Sequence, residues 1–335
     1  MLNKNLGMLL FIASLFLIMI TFSSSQDAEP ILIRFSHVVS EKSPKGLGAQ
    51  LFKEMVEKQL AGKVQVVIYP LSQKYTDEQA ILGLLFGDVE MVAPSFPKFY
   101  KFSKSLAIFD QPFFFNSVEE VHKFQESTIG KQLLSSMENR GIKGLSYWDN
   151  GMRIISTNKP VRVPADLKGM SMRIEPSNII YTQYQRWGAL PIPMPFKQLP
   201  DALRGGLIDG YENAWSNVYS RDLHKLRRFF TEMNHSYLGY MVATSVQFWD
   251  GLPPEIRTKL ERILEVVRIE VGRIAAEKVQ TDQEKILTTE GVELTTLSEA
   301  EKQPWKEAVK PLWDEFEALV GKDASDAMIK AKTGK

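Results

Sequence analysis

Short apolar segments alternate with helical patterns in the first part of the chain, and this alternation limits the possible folds more than any other feature. Residues 31–35, 64–69 and 89–93 are short and rich in β-branched or apolar side chains, as buried strands are. Residues 47–60 and 77–86 have the pattern of helices. Strands that alternate with helices in this way are typical of a parallel sheet covered by helices, so we predict an α/β fold.

The same alternation returns in a second zone. Strands are predicted at 144–147, 152–157 and 170–174, helices at 179–187 and from residue 199, and a short strand just before Gly210. The last third is helical, at 254–288 and 299–332. A chain of 335 residues is long enough for two domains. We therefore predict a two-domain protein with a ligand cleft between the domains.

Composition excludes several classes of function. The chain has 41 Lys and Arg against 40 Asp and Glu, for a net charge of +1, so it lacks the basic excess of a nucleic-acid-binding protein. It has no cysteine, which excludes disulfides, thiolate metal sites and a lipid-modified cysteine. The predicted partners therefore include no nucleic acid.

The N-terminus has the layout of a secretory signal peptide. Lys4 supplies a positive charge, residues 8–22 form an apolar or small-residue run, and a small polar stretch follows at 23–26. A membrane-spanning helix needs about 20 apolar residues, so a permanent anchor is the weaker alternative. We predict a signal peptide at 1–25, cleavage near Ser25 and an exported mature protein.

Motifs of common enzymes are missing from the sequence. It contains no G-x-S-x-G, no G-x-x-x-x-G-K-[ST] and no H-E-x-x-H motif. The four histidines, His37, His122, His224 and His235, are scattered and do not have metal-ligand spacing. We predict a binding protein with no catalytic residues, no metal and no cofactor. A secreted enzyme of unknown type is the alternative, because catalytic triads are spatial rather than sequential.

Arg173 is the most suggestive polar residue. It lies within the apolar stretch 170–174, so on a strand it faces away from Met172 and Ile174. A buried guanidinium needs an anionic partner, and its planar fork suits a carboxylate. The alternative is a surface arginine or a salt bridge, for example with Glu175 or Glu212, and the residues alone favour this alternative.

Several segments resemble one known family over essentially the whole mature chain. The similar segments are 33–39 with 43–46, 109–113, 147–151, 164–169, 172–174, 209–213 and 249–253. In this order they resemble the DctP-type solute-binding proteins of tripartite ATP-independent periplasmic (TRAP) transporters. The resemblance implies a periplasmic-binding-protein-like fold, a small carboxylate ligand and docking of the closed form onto a TRAP permease in the membrane. It also implies a long helix after Pro254 that crosses both domains.

The resemblance implies roles for individual residues. A strand-borne arginine of the family pairs with the substrate carboxylate, and its counterpart here is Arg173. A second arginine 20 residues earlier corresponds to Arg153, and an asparagine 40 residues later corresponds to Asn213. The resemblance further implies discontinuous domains: 26–150 with about 239–278, and 151–238 with about 279–335. We expect a monomer.

The forms Y-W-D-N-G at 147–151 and E-N-x-W-S-N at 212–217 are most similar to members that bind four-carbon dicarboxylates such as succinate, malate or fumarate. Candidate donors for a second carboxylate are Arg153, His37 and Lys45. Further candidate binding residues in these two forms are Trp148, Asn150 and Trp215. Pro200 stands where those members tend to have an aromatic residue, so a longer diacid or an aromatic or hydroxy acid stays open, as does a role beside a membrane sensor.

Overall fold

The computed structural model describes residues 29–333, which form two mixed β-sheets surrounded by helices. The first sheet has the strand order β2-β1-β3-β10-β4 and the second β11-β9-β5-β8-β6-β7. The strands are β1 (Ile31–Ser36), β2 (Val64–Tyr69), β3 (Met91–Val92), β4 (Ile142–Met152), β5 (Ile154–Thr157), β6 (Ser171–Ile174), β7 (Leu190–Pro193), β8 (Gly210–Asn213), β9 (Phe229–Glu232), β10 (Tyr237–Ser245) and β11 (Glu293–Thr296). This architecture confirms the predicted two-domain α/β fold.

The helices cover the faces of the sheets. They are α1 (Pro44–Gln59), α2 (Asp77–Leu85), α3 (Val118–Glu126), α4 (Thr128–Ser135), α5 (Asn178–Arg186), α6 (Leu199–Arg204), α7 (Trp215–Ser220), α8 (Val246–Gly251), α9 (Pro254–Leu287), α10 (Glu299–Val309), α11 (Pro311–Val320) and α12 (Lys322–Thr333). None of the helices between residues 29 and 333 combines the length and the apolar character that crossing a bilayer would require. The predicted signal peptide lies outside the described residues.

The strand and helix predictions of the first zone are confirmed, with small shifts at the ends. Strand β1 pairs in parallel with both β2 and β3. Helix α1 begins three residues earlier than predicted, because the hydroxyl of Ser43 accepts a hydrogen bond from the backbone N–H of Gly46 at 3.2 Å and caps its first turn.

Other sequence predictions need correction. The sheets are mixed rather than parallel, since β10 pairs antiparallel with β3 and β4. Met152 belongs to β4 rather than β5, and Gly210 begins a strand instead of following one. The predicted helix at 299–332 is three helices. Pro311 starts the second of them, and Gly321, with a φ of 88°, ends it in a conformation that favours glycine.

The long helix α9 has 34 residues and joins the two halves, as predicted. Its first part buries Leu260, Val267 and Val271 in a core with strands of the first sheet. Its last part buries Ile286 in a core with strands of the second sheet. Each fully buried aliphatic side chain contributes roughly 1.5–3 kcal/mol, so both ends of the helix are firmly held. The exact domain boundaries stay a prediction.

Candidate ligand-binding site

Two adjoining cavities lie between the sheets, and residues of both halves line them. Five residues line both cavities: Val38, Asp77, Arg173, Glu175 and Phe196. Val38 and Asp77 come from the half built on the first sheet, and the other three from the half built on the second. The cavities therefore occupy the predicted cleft.

Arg173 presents an unused edge of its guanidinium to these cavities. It lies on β6, is 3% exposed, and donates from Nε and Nη2 to the carbonyl of Met194 at 2.9 and 2.7 Å. Nη1 lies 4.0 Å from Oε1 of Glu212 and makes no hydrogen bond within residues 29–333. A guanidinium has five N–H donors, so the edge formed by Nη1 and Nη2 stays free for a carboxylate. Burial lowers the pKa of Arg173, and Glu212 partly offsets this; arginine nevertheless stays charged.

Arg153 is held by protein groups on all three nitrogens. Nε donates to the carbonyl of Tyr237 at 3.2 Å, Nη2 to Glu175 at 2.8 Å, and Nη1 to Glu212. Burial lowers the pKa of Arg153, but the two carboxylates more than offset this and the net pKa is raised. It lines one of the cavities. Each nitrogen of Arg153 thus already has a protein acceptor.

Glu175 connects the two sides of the cleft. It follows β6 of the second sheet and accepts a hydrogen bond from Ser95, which lies on the side of the first sheet. Its Oε1 also lies 3.8 Å from Nζ of Lys98. Burial raises the pKa of Glu175, but the charges of Lys98 and Arg153 more than offset this effect. The net pKa is lowered to about 2. Glu175 is therefore charged and bridges the cleft at neutral pH.

Asn213 has a donor available for a ligand. It ends β8, and its side-chain oxygen accepts hydrogen bonds from the backbone N–H of Ala214 and from Nδ2 of Asn217, both at 2.9 Å. Its own Nδ2 makes no hydrogen bond within the described part of the chain. Because Asn213 lines the same cavity as Arg173 and Arg153, the structure brings together the three residues predicted as a clamp.

Lys45 and His37 are buried but do not line the two cavities. Nζ of Lys45 donates to the carbonyl of Ala93 at 2.7 Å and lies 3.7 Å from the centre of the Tyr240 ring. Neither ring nitrogen of His37 makes a hydrogen bond of normal geometry within residues 29–333. Burial and the charge of Lys45 lower the pKa of His37 to about 3, so the ring is neutral at physiological pH.

The other three predicted residues, Trp148, Trp215 and Asn150, are buried outside the two cavity walls. Trp148 packs against Phe35 in the first core, with ring centroids 5.8 Å apart. Trp215 packs in the second core and donates from Nε1 to Glu232 at 3.1 Å. Asn150 donates to the hydroxyl of Tyr240 at 2.9 Å. Their positions are those of core and scaffold residues rather than of cavity walls.

Sequence reasoning missed several residues of the cavity walls. Lys98 and Phe196 are the most important of them, and Asn217 and Tyr240 also line one cavity. Phe196 places its ring 5.9 Å from Cζ of Arg173. Pro200, where a departure from the family was noted, is buried in α6 and does not line either cavity. Lys98 follows the end of β3, and polar residues after strand ends are the signal that could have found it.

Chemically, the site is a buried polar cavity whose free donors suit an anion. Within residues 29–333 no group of three or more His, Cys, Asp and Glu side chains could hold a metal ion. The site instead offers a free guanidinium edge, an amide donor and a buried ammonium, balanced by fixed carboxylates. Such an arrangement suits a small anionic ligand that loses its water on entry.

Comparisons with known proteins show which family the chain belongs to. The family model for bacterial extracellular solute-binding protein family 7, DctP, matches residues 35–319. The C4-dicarboxylate-binding periplasmic protein DctP of Vibrio cholerae is 39% identical over 326 residues, which cover 96% of this chain and 98% of that protein.

Two solved structures are also similar. A TRAP periplasmic solute-binding protein from Shewanella oneidensis with bound succinate is 42% identical, with a TM-score of 0.88 over 90% of this chain and 99% of that one. One from Pseudomonas aeruginosa with bound L-malate is 39% identical, with a TM-score of 0.82 over 85% of this chain and 100% of that one. The family consists of solute-binding proteins and not of enzymes. This chain belongs to bacterial extracellular solute-binding protein family 7, the DctP family.

Proposed function

We propose that this chain is the extracytoplasmic solute-binding component of a TRAP transporter, which captures a C4-dicarboxylate such as succinate, malate or fumarate and delivers it to permease subunits in the membrane. One observation carries the proposal: a buried guanidinium edge, that of Arg173, stands free in a polar cavity lined by both halves. The names of the similar proteins, which mention C4-dicarboxylates, succinate and L-malate, support this ligand class.

In this proposal Arg173 binds one carboxylate of the ligand through two parallel hydrogen bonds. The carboxylate loses its hydration on entering the cleft, and charge-assisted hydrogen bonds from a pre-positioned fork offset that loss. The carbonyl of Met194 holds the fork in place, so little side-chain entropy is lost on binding. Nδ2 of Asn213 donates to a remaining lone pair. Phe196 closes the wall beside the bound carboxylate.

Closure of the cleft follows from contacts on both sides. A ligand favours a closed state only to the extent that it binds that state more tightly. The cavity walls come from both sheets, so a ligand in the cleft gains its full set of contacts only when the halves approach. The closed form would then be the one that docks onto the permease.

The proposal also covers the location and organisation of the protein. Residues 1–25 act as a cleavable signal peptide, and the mature chain works as a monomer in the periplasm. The first domain comprises 26–150 with about 239–278, and the second comprises 151–238 with about 279–335. The two sheets support this division, because β4 and β10 pair in the first sheet while β5, β8 and β9 pair in the second.

Calorimetry and thermal unfolding test the function. We expect the mature chain to gain thermal stability with succinate, L-malate or fumarate, because a ligand that binds only the native state stabilises it. Arg173→Lys should keep the fold and weaken binding about 100-fold or more, since a point charge cannot replace the bidentate fork. The exposed Arg204→Lys is a matched control. The proposal fails if no dicarboxylate binds, and the anchor assignment fails if Arg173→Lys binds as tightly as the wild type.

A further inference from the structure

We propose that Lys98 binds the second carboxylate of the ligand and so determines the preference for dicarboxylates over monocarboxylates. The inference rests on the proposed function, because it assumes that Arg173 holds the first carboxylate. It replaces the candidates that the sequence suggested for the second carboxylate.

Lys98 approaches the cleft from the side opposite Arg173. It lies in the short 3-10 helix Phe96–Phe99, which follows β3 of the first sheet. An isolated bridge between Ser95 and Tyr240 ties the start of this helix to β10 of the same sheet. Arg173 lies on β6 of the second sheet, yet both side chains line one cavity. Lys98 thus supplies a buried cation from the half built on the first sheet and Arg173 one from the half built on the second, an arrangement that suits a ligand with two carboxylates.

The ammonium group of Lys98 is buried and lies beside two acids, which leave it at least one free donor. The side chain is 5% exposed. Nζ lies 2.9 Å from Oε1 of Glu78 and 3.8 Å from Oε1 of Glu175, but within residues 29–333 it makes no hydrogen bond of normal geometry. An ammonium has three N–H donors, so the pairs with Glu78 and Glu175 leave at least one donor without an acceptor, which is costly in a buried position. A ligand carboxylate would supply the missing acceptor.

The other cations near the cleft are already engaged. Nζ of Lys45 donates to a backbone carbonyl, stacks on the ring of Tyr240 and does not line the cavities. Arg153 donates from each of its three nitrogens to protein oxygens. His37 does not line the cavities either. Lys197 also lines one cavity, but it is exposed and donates to the carbonyl of Ser72 at 3.5 Å. Among the buried cations of the two cavity walls, Lys98 and Arg173 are therefore those that keep donors without a protein acceptor in the described part of the chain.

This arrangement explains how a monocarboxylate would be rejected. A ligand that ends in a methyl group would offer the free donor of Lys98 no acceptor, and one that ends in a neutral amide would offer an uncharged carbonyl in place of a carboxylate. Specificity arises when the wrong ligand leaves a buried polar group unpaired. The preference for a second carboxylate should therefore disappear when the charge at position 98 is removed.

Succinate and succinamate, which differ only by the change of one carboxylate to an amide, provide the test. Calorimetric dissociation constants for both ligands are measured for the wild type, Lys98→Gln, Lys98→Met and the exposed control Lys104→Gln. Circular dichroism confirms folding. We expect the Lys98 substitutions to weaken succinate about 30-fold or more and succinamate less than about 3-fold. Lys104→Gln should change neither.

The outcomes separate the two proposals. Equal losses for succinate and succinamate would mean that Lys98 only joins the two walls through Glu78 and Glu175, and would overturn this inference alone. Wild-type protein that binds neither ligand would overturn the proposed function and this inference with it. If Lys98→Gln does not fold, the same comparison is made with Lys98→Met, which keeps the length and apolar stem of the side chain.

Discussion

Replacing Glu175 with glutamine removes the charge that joins the two walls of the cleft while keeping the shape of the side chain. Glu175 is buried, accepts hydrogen bonds from Ser95 and Arg153, and lies near Lys98. Burial raises its pKa, and the cationic neighbours together with the Ser95 hydroxyl lower it, from an ordinary 4.5 to about 2. This difference corresponds to roughly 3 kcal/mol in favour of the charged, folded form.

The sign of the pH dependence follows from that difference. Because the pKa is lower in the folded protein, the contribution of Glu175 is fully present above about pH 5 and is lost as the pH falls towards 2. Glu175→Gln should therefore lower the free energy of unfolding by about 3 kcal/mol at pH 7 and by less than about half of that at pH 3.

Urea denaturation followed by tryptophan fluorescence measures this quantity at both pH values. The matched control is Glu265→Gln, which breaks an exposed pair with Arg268 and should cost less than about 1 kcal/mol. A loss at pH 7 no larger than that of the control, or an equal loss at pH 3 and pH 7, would refute the argument that Glu175 stabilises the closed cleft by charge.

Two further predictions follow from single contacts. Asn213→Ala removes the amide donor in the cavity and should weaken dicarboxylate binding, measured by calorimetry, about 10-fold. Asn158→Ala, at an exposed asparagine, is the control. Unchanged affinity of Asn213→Ala would show that Asn213 does not contact the ligand. Gly48→Ala places a methyl group 2.3 Å from Cγ2 of Val271 in α9, so it should lower the free energy of unfolding by about 1–2 kcal/mol despite the better helix propensity of alanine. An unchanged urea midpoint would show that the contact between α1 and α9 yields easily.

The strands and helices near the N-terminus could be predicted because their patterns are local. Residues 31–35 and 64–69 are apolar or alternating segments between clear turn signals, and the structure has strands there. The antiparallel pairing of β10 with β4 could not be predicted in this way. It joins Tyr237 to Met152, which are far apart in the chain, and no local pattern encodes which strands will become neighbours.

The site residues also differ in whether the sequence alone could indicate them. Arg173 could be found because a charged residue within an apolar strand is conspicuous, and the structure places it at the cavity. Lys45 and Lys98 are equally plausible cations in the sequence. The two lysines differ only in their tertiary contacts. Lys45 contacts Ala93 and Tyr240, whereas the segment after β3 places Lys98 in the cavity wall. Such orientation depends on contacts between distant segments.

The helix α9 has a mechanical consequence for the cleft. Val271 is anchored in the core of the first sheet and Ile286 in that of the second, so every rotation of one half against the other passes through the segment between them. Gly272 begins this segment, and glycine weakens a helix by about 1 kcal/mol relative to alanine. Half of the helix is about 25 Å long. A bend of about 10° at Gly272 therefore moves a point at that distance by roughly 4 Å. That displacement exceeds a hydrogen-bond length, so the straightness of one helix decides whether donors on opposite walls can reach the same small molecule.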